Sequence, residues 1–217
     1  MLNPWNIAGL SELEQETKKQ VYAILQLRLH PGIIALKEKI ANQPDKFYDL
    51  ELTYISSRGS WYYTSWKGDI HKSGGIATNI GIHFFDMLIW LFGPVQQNTI
   101  YLHTHDRASG WLKFARAQVR WFLSINENTL PLQAKEQGKR TYRSLSLNGE
   151  EIEFSEGFTD LHTLSYQKIL QGEGFHLEET RPAIQIVHDI RRLPINPFDD
   201  KTHPLAYLPT EPHPFYS

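Results

Sequence analysis

No cysteine occurs among the 217 residues. Disulfides, thiolate metal sites and cysteine nucleophiles are excluded with it. Charge of one sign is not in excess either, since 22 Lys and Arg against 24 Asp and Glu leave a net charge of −2. A dedicated nucleic-acid binder is usually basic, so no nucleic-acid partner is expected. No apolar run reaches ~18 residues without a polar break, so no membrane span is expected. Met1-Leu2-Asn3-Pro4-Trp5-Asn6 has the form of neither a secretion signal nor an Arg-rich presequence, and a cytoplasmic location is the default. Repeats and low-complexity tracts are lacking. So are the hydrolase patterns Gly-x-Ser-x-Gly and His-Glu-x-x-His. The dinucleotide fingerprint Gly-x-Gly-x-x-Gly is also missing.

What remains is 41% hydrophobic and 12% aromatic, enough for one sizeable core. Ser11-Glu12-Leu13-Glu14 fits a capping box opening a helix to about Lys18. Gln20 to Leu27 reads as a largely buried strand, and His30-Pro31 opens a helix through about Ala41. Helix, buried strand and helix form the tail of a parallel α/β unit that has no earlier strands to pair with. Residues 1–42 are therefore expected to be the remnant of an amputated α/β domain. From Phe47 to Tyr54 residues alternate as in a half-buried strand, and Ile100–Thr104 and Ala115–Ile125 alternate again. Thr141–Leu147 and Glu151–Phe154 flank Asn148-Gly149, a strong hairpin signal. Helices are expected near Asp160–Gln171 and Arg181–Leu193. Six prolines then mark residues 194–217 as a tail without periodicity. Residues 43–193 thus predict an α+β domain: a mainly antiparallel open sheet, covered by helices on one face.

The most informative stretch runs from Lys72 to Gly93. Ile76, Ile80, Phe84, Leu88 and Leu91 have helical spacing, and Asn79, His83 and Asp86 interrupt the apolar run. At 100° per residue those three fall within an arc of roughly 60°. Polar groups there must be hydrogen-bonded or face a cavity. A histidine in such a place is either a satisfied core residue or a working one, and the spacing leaves both open. Gly81 costs about 1 kcal/mol against Ala in mid-helix, which points to a close approach by a backbone or a ligand.

The loop Arg58-Gly59-Ser60-Trp61-Tyr62-Tyr63-Thr64-Ser65-Trp66-Lys67-Gly68 mixes cations, aromatics and hydroxyls. Arg58 suits a phosphate or carboxylate, Lys67 supplies a point charge, and Tyr62 and Ser65 offer hydroxyls. The bland alternative is a surface loop whose aromatics pack on the sheet. His103 and His105 lie two apart and would share one face of a strand, but no acidic partner is evident and no metal site is expected. Arg140, Arg143, Arg191 and Arg192 read as solvated charges.

Gly74-Gly75 followed by Asn79-x-Gly81-x-His83-x-x-Asp86 resembles the signature helix of the glucose–fructose oxidoreductase and inositol dehydrogenase family. With the loop 58–68 and Gln26-Leu27-Arg28-Leu29-His30-Pro31, the similarity extends from residue 3 to about 193. It is closest to the branch of UDP-2-acetamido-2-deoxy-glucuronate 3-dehydrogenases, of bacterial surface-polysaccharide synthesis. The resemblance makes residues 1–42 the remnant of a truncated nucleotide-binding (Rossmann) domain and residues 43–193 a substrate and oligomerisation domain, and it implies NAD, bound mainly by a preceding domain. It implies a UDP-sugar substrate and self-association through the sheet face. It makes His83 the catalytic acid/base group, and Asn79, where many members carry Asp, a substrate contact. Arg58, Tyr62, Ser65, Lys67 and Arg28 become candidates for the diphosphate and the uronate carboxylate. The family's Glu-Lys-Pro precedes the segment matching Leu2–Asn6, so Met1 is expected to be internal to a longer sequence. The 217 residues alone are expected to be inactive.

Overall fold

The computed structural model describes residues 1–152 and 160–215. Helix α1 spans Pro4–Thr17. Pro4 presets the backbone of the first turn, and Asn6 Oδ1 accepts from the amides of Leu2 (3.1 Å) and Asn3 (3.0 Å). The helix therefore begins well before the expected capping box. Ser11 lies inside it and donates to Glu178 (3.0 Å). Of the expected strand Gln20–Leu27, only β1, Tyr22–Ala23, is extended. Its partner is the equally short Phe175–His176. Without a longer ladder, the backbone closes its own hydrogen bonds in a 3₁₀ turn, Gln26–Leu29, which buries Leu27. Helix α2, Pro31–Ala41, starts where expected: the His30 imidazole accepts from Gly32 N (3.1 Å), and Ile33, Leu36 and Ile40 face inward.

Strand β2, Tyr48–Ser56, leads through the short helices α3, Trp61–Thr64, and α4, Ile70–Ser73. A π-turn over Ala77–Gly81 then runs into α5, Ile82–Phe92. There follow β3 (Val95–His103), β4 (Arg107–Phe114), β5 (Ala117–Ser124), α6 (Leu132–Glu136), β6 (Thr141–Leu147) and β7 (Glu150–Glu151). Helix α7 (Leu161–Leu170), β8 (Phe175–His176) and α8 (Arg181–Ile190) complete the order. Glu153 and Phe154 of the expected hairpin lie outside the described residues.

Six strands form one sheet in the order β3-β4-β5-β2-β6-β7. Among the described strands, β2 and β5 alone pair in parallel, in register from Tyr48↔Ala117 to Ile55↔Ser124. This is the expected α+β architecture. Strand β4 had no signal in the sequence because nearly every residue is buried on both faces, so nothing alternates. Gly110 within it is required by close approach: a Cβ there would lie 2.4 Å from Thr99 O.

Helices α2, α5 and α8 cover the inner face, where Leu50, Leu52, Val119, Trp121 and Leu123 meet Phe85, Met87 and Leu88. Phe85 packs edge-on against Trp121, centroids 5.2 Å apart. The stretch Ile70–Phe92 is long and apolar enough to cross a membrane, yet 61% of its apolar window is buried inside the fold, as suits a core helix. On the outer face, the proline-rich segment is no loose tail. Its 3₁₀ turn, Pro204–Tyr207, seats Leu205 and Ala206 against Ile55, Phe122 and Leu130. That cover explains why Thr53, Ile55 and Ser56 of β2 are buried on both faces, beyond the alternation of its first half.

Candidate active site

The site is built at the entrance to α5. Gly74 (φ 77°) and Gly75 (φ 76°) both adopt left-handed backbone, which favours glycine. A Cβ on Gly74 would lie 2.5 Å from Thr78 Oγ1 and 2.7 Å from Arg191 Nη1. The double turn delivers the chain into the π-turn, a rare, wide geometry frequent at functional sites. Gly81 closes it. The close approach inferred there comes from a side chain of the sheet, since a Cβ would stand 2.5 Å from Leu123 Cδ1.

The polar stripe then divides. Thr78, Asn79, Ile82 and His83 line a cavity of about 510 Å³, whose other walls come from Met1–Leu2, Tyr22–Leu25, Trp66, Lys72–Ser73 and α8. A volume of that order suits a small organic ligand. Asp86 turns away from it. Its carboxylate accepts from Arg28 Nε (3.0 Å) and Nη2 (2.7 Å), and Arg28 Nη1 reaches Glu179 (2.6 Å). Arg28 is 8% exposed and does not line the cavity, so two carboxylates occupy the guanidinium that was a candidate for substrate.

His83 has no hydrogen-bond partner among the described residues. Burial chiefly, with the positive potential of His162, holds its pKa below the ordinary histidine value. The imidazole is therefore neutral at pH 7 and has a lone pair to accept a proton. Asn79 Nδ2 donates to the Tyr62 hydroxyl (3.1 Å) and to Lys67 O (3.4 Å). Those bonds fix the amide and leave Oδ1 without a donor among the described residues.

The loop candidates separate into supports and exposed cations. Tyr62 is buried, its phenol pKa pushed up by burial, and it serves as acceptor for Asn79. Ser65 Oγ donates to Tyr62 O (2.8 Å) and accepts from Lys67 N (3.2 Å), which shapes the turn. Gly68 allows that turn, since a Cβ would lie 2.6 Å from Tyr63 Cα. Arg58 and Lys67 are exposed; Lys67 Nζ stands 6.0 Å from the Trp66 ring. Lys72 and Thr78 reach the cavity although sequence reasoning passed over them; their one signal was adjacency to Ser73-Gly74-Gly75.

His103 and His105 do not converge. His103 faces Gly75, while the His105 ring lies tilted against Tyr63 (5.6 Å) and edge-on to His213 (4.9 Å). Among the described residues, no group of three or more His, Asp or Glu side chains could hold a metal. Arg191 is no solvated charge. It donates to Thr78 Oγ1 (2.9 Å), Asn3 Oδ1 (2.8 Å) and the Leu2 carbonyl, joining α8, the site helix and the first residues. Arg143 lies over Tyr54 (5.2 Å) and Arg192 over Trp5 (6.0 Å).

An open sheet with a helical cover, and a histidine in a mixed cavity at the start of its core helix, define an α+β domain with a candidate ligand site. The profile of the oxidoreductase family, C-terminal α/β domain, matches residues 46–128. The WlbA (WbpB) dehydrogenase from Thermus thermophilus, solved with NAD and α-ketoglutarate, is 50% identical, with TM-score 0.89 over 94% of this chain and 66% of that one. Solved with NAD and UDP-GlcNAcA, it gives 49% identity and TM-score 0.88 over 94% and 66% of the two chains. The WlbA dehydrogenase from Bordetella pertussis, in complex with NADH and UDP-GlcNAcA, shares the fold at 17% identity, with TM-score 0.68 over 88% and 66%. The chain thus spans just under two thirds of these solved chains. It belongs to the glucose–fructose oxidoreductase and inositol dehydrogenase (Gfo/Idh/MocA) family.

Proposed function

We propose that this chain is the substrate-binding part of an NAD-dependent dehydrogenase that oxidises the C3 hydroxyl of a UDP-N-acetyl-amino-glucuronate-type sugar. The observation that carries the reading is the pairing of neutral His83 with an anchored Asn79 at one cavity. The likeness to a dehydrogenase solved with NAD and UDP-GlcNAcA supports it. His83 takes the hydroxyl proton, and a neutral imidazole suits that role. Asn79 Oδ1 orients the sugar. Lys72, Arg58 and Lys67 are the cations available to the diphosphate and carboxylate, with Lys72 nearest the cavity. When bound, NAD supplies the hydride acceptor. Leu25 and Ile184 offer an apolar wall that fits a flat ring, whereas the pyrophosphate requires a Gly-rich turn outside these 217 residues. The place of action under this reading is cytoplasmic surface-polysaccharide synthesis.

Self-association belongs to the same proposal, with one change of surface. The outer sheet face is covered by the tail, and the tail itself exposes Ile195, Phe198 and Tyr207. Two copies would meet over that cover.

Titration of the chain with UDP-GlcNAcA should give saturable binding, and the same sugar without UDP should bind far more weakly. Equal affinity for both would remove the nucleotide sugar from the reading. In the enzyme joined to its dinucleotide-binding domain, His83→Asn should lower turnover by about 10²–10⁴-fold with affinity and melting temperature kept. The lower limb of the pH–rate profile should lie below about 6.5, because the folded pKa is depressed. A collapse in melting temperature with unchanged turnover would make His83 a core residue.

A further inference from the structure

The last described residues reach the loop that supports Asn79. Four anchors hold them in succession. His203, 1% exposed, bonds Thr53 Oγ1 (2.9 Å) and stacks on Phe122 (5.5 Å). Arg107 is itself locked on Asp106, and its Nη1 donates to the carbonyls of Leu208 (3.3 Å) and Pro209 (3.0 Å). Glu211 accepts from Asn126 Nδ2 (3.2 Å) and Asn128 Nδ2 (2.7 Å). His213 then sets its ring edge-on to Tyr63 (5.0 Å) and His105 (4.9 Å).

Tyr63 lies in α3, a helix of only four residues. So short a helix cannot hold itself in water and depends on tertiary contacts. Its neighbour Tyr62 carries the hydroxyl that fixes Asn79 beside His83. A continuous set of contacts therefore runs from the sheet's outer face, around its edge, to the cavity. We propose that residues 203–215 form a strap that positions the 58–68 loop, with His213 as a positioning residue acting through Tyr63 and Tyr62 on Asn79. The ligand named in the test rests on the function proposed above; the ordering of the loop does not.

The experiment compares the 217-residue chain with His213→Ala, His213→Phe and a chain ending at Leu208, which keeps the His203 and Ala206 contacts. Amide exchange, melting temperature and affinity for UDP-GlcNAcA are measured on each. His213→Ala and the shortened chain should speed exchange across residues 58–68 by about tenfold, with the sheet unaffected. Affinity should fall by about three- to tenfold, the range of a lost aromatic contact. Melting temperature should move by no more than about 2 °C. His213→Phe should restore exchange and affinity, because it keeps a ring against Tyr63. Unchanged exchange in both weakened chains would overturn the strap, as would faster exchange with full affinity. A rise spread evenly over the sheet would also overturn it, by showing a merely structural role. If the unaltered chain binds no UDP-GlcNAcA, the functional reading fails. The strap is then decided by exchange at residues 58–68 and at Asn79: a rise confined there supports it and none overturns it.

Discussion

Asp86 and Arg28 show how one residue can be misread from its neighbours. On the sequence, Asp86 completes a polar stripe with Asn79 and His83, while Arg28 is a cation after a strand. In the fold each is the other's partner, with Arg28 8% exposed and the Asp86 side chain 3% exposed. Removing one member of a buried ion pair leaves an uncompensated charge. Arg28→Ala should cost about 3–5 kcal/mol in urea denaturation, with little selective effect on the proposed UDP-sugar binding at temperatures where the variant is folded. A stable variant with lost affinity would return Arg28 to the substrate. Gly81 has an equally local demand. Gly81→Ala pushes a methyl towards Leu123 Cδ1 (2.5 Å) and Phe85 Cε2 (2.9 Å), both on fully buried side chains. The expected loss is about 1–3 kcal/mol by overpacking, with the π-turn and His83 displaced together. A melting curve matching the unaltered chain would show that the turn has slack.

Among the elements, the tail has the clearest chemical handle. Leu205 N donates to His203 Nδ1 (3.1 Å), so Nε2 carries the hydrogen and donates to Thr53. The ring is thereby the neutral tautomer, and Glu51 at 3.8 Å makes no ion pair with it. Burial, with the nearby positive charge of Arg120, lowers its pKa from 6.5 to about 3. The folded state thus resists protonation while the unfolded chain accepts it near pH 6.5. The stability is fully present above pH 6.5 and is lost progressively as pH falls towards 3. The total amounts to roughly 5 kcal/mol. Urea midpoints between pH 7 and pH 4 should fall more steeply for the unaltered chain than for His203→Gln, which cannot titrate. Parallel slopes would remove His203 as the source. The tail itself was invisible to periodicity because prolines and single anchors, rather than a repeating face, attach it.

The molecule as a whole presents apolar groups where a lone copy would be wet. Ile195 is 58% exposed and Tyr207 59%, and Phe198 packs edge-on against Tyr207 at 4.9 Å. If the tail-covered face pairs two copies, sedimentation at tens of micromolar should show a dimer, and Tyr207→Asp should shift it to monomer (tens of micromolar being near ordinary dimer affinities). Only monomer in the unaltered chain would set that face aside. Much of this architecture was legible beforehand. Apolar periodicity marked α2, α5, α7 and α8, alternation marked β2 and β5, and the spacing Gly74-Gly75…Asn79…His83 marked the site. These signals are local, because a helix or a half-buried strand repeats its environment along the chain. Strand β4 was lost because burial on both faces erases alternation, and Gln20–Leu27 was overread because a strand needs a neighbour that local pattern cannot supply. The sequence by itself determined the family, the α+β class and the cavity histidine with its asparagine. Only the tertiary structure decided that Asp86 belongs to Arg28, that Tyr62 and Ser65 support rather than line the cavity, and that the tail covers the sheet. Each of those depends on contacts between residues far apart in the chain, and no spacing records them.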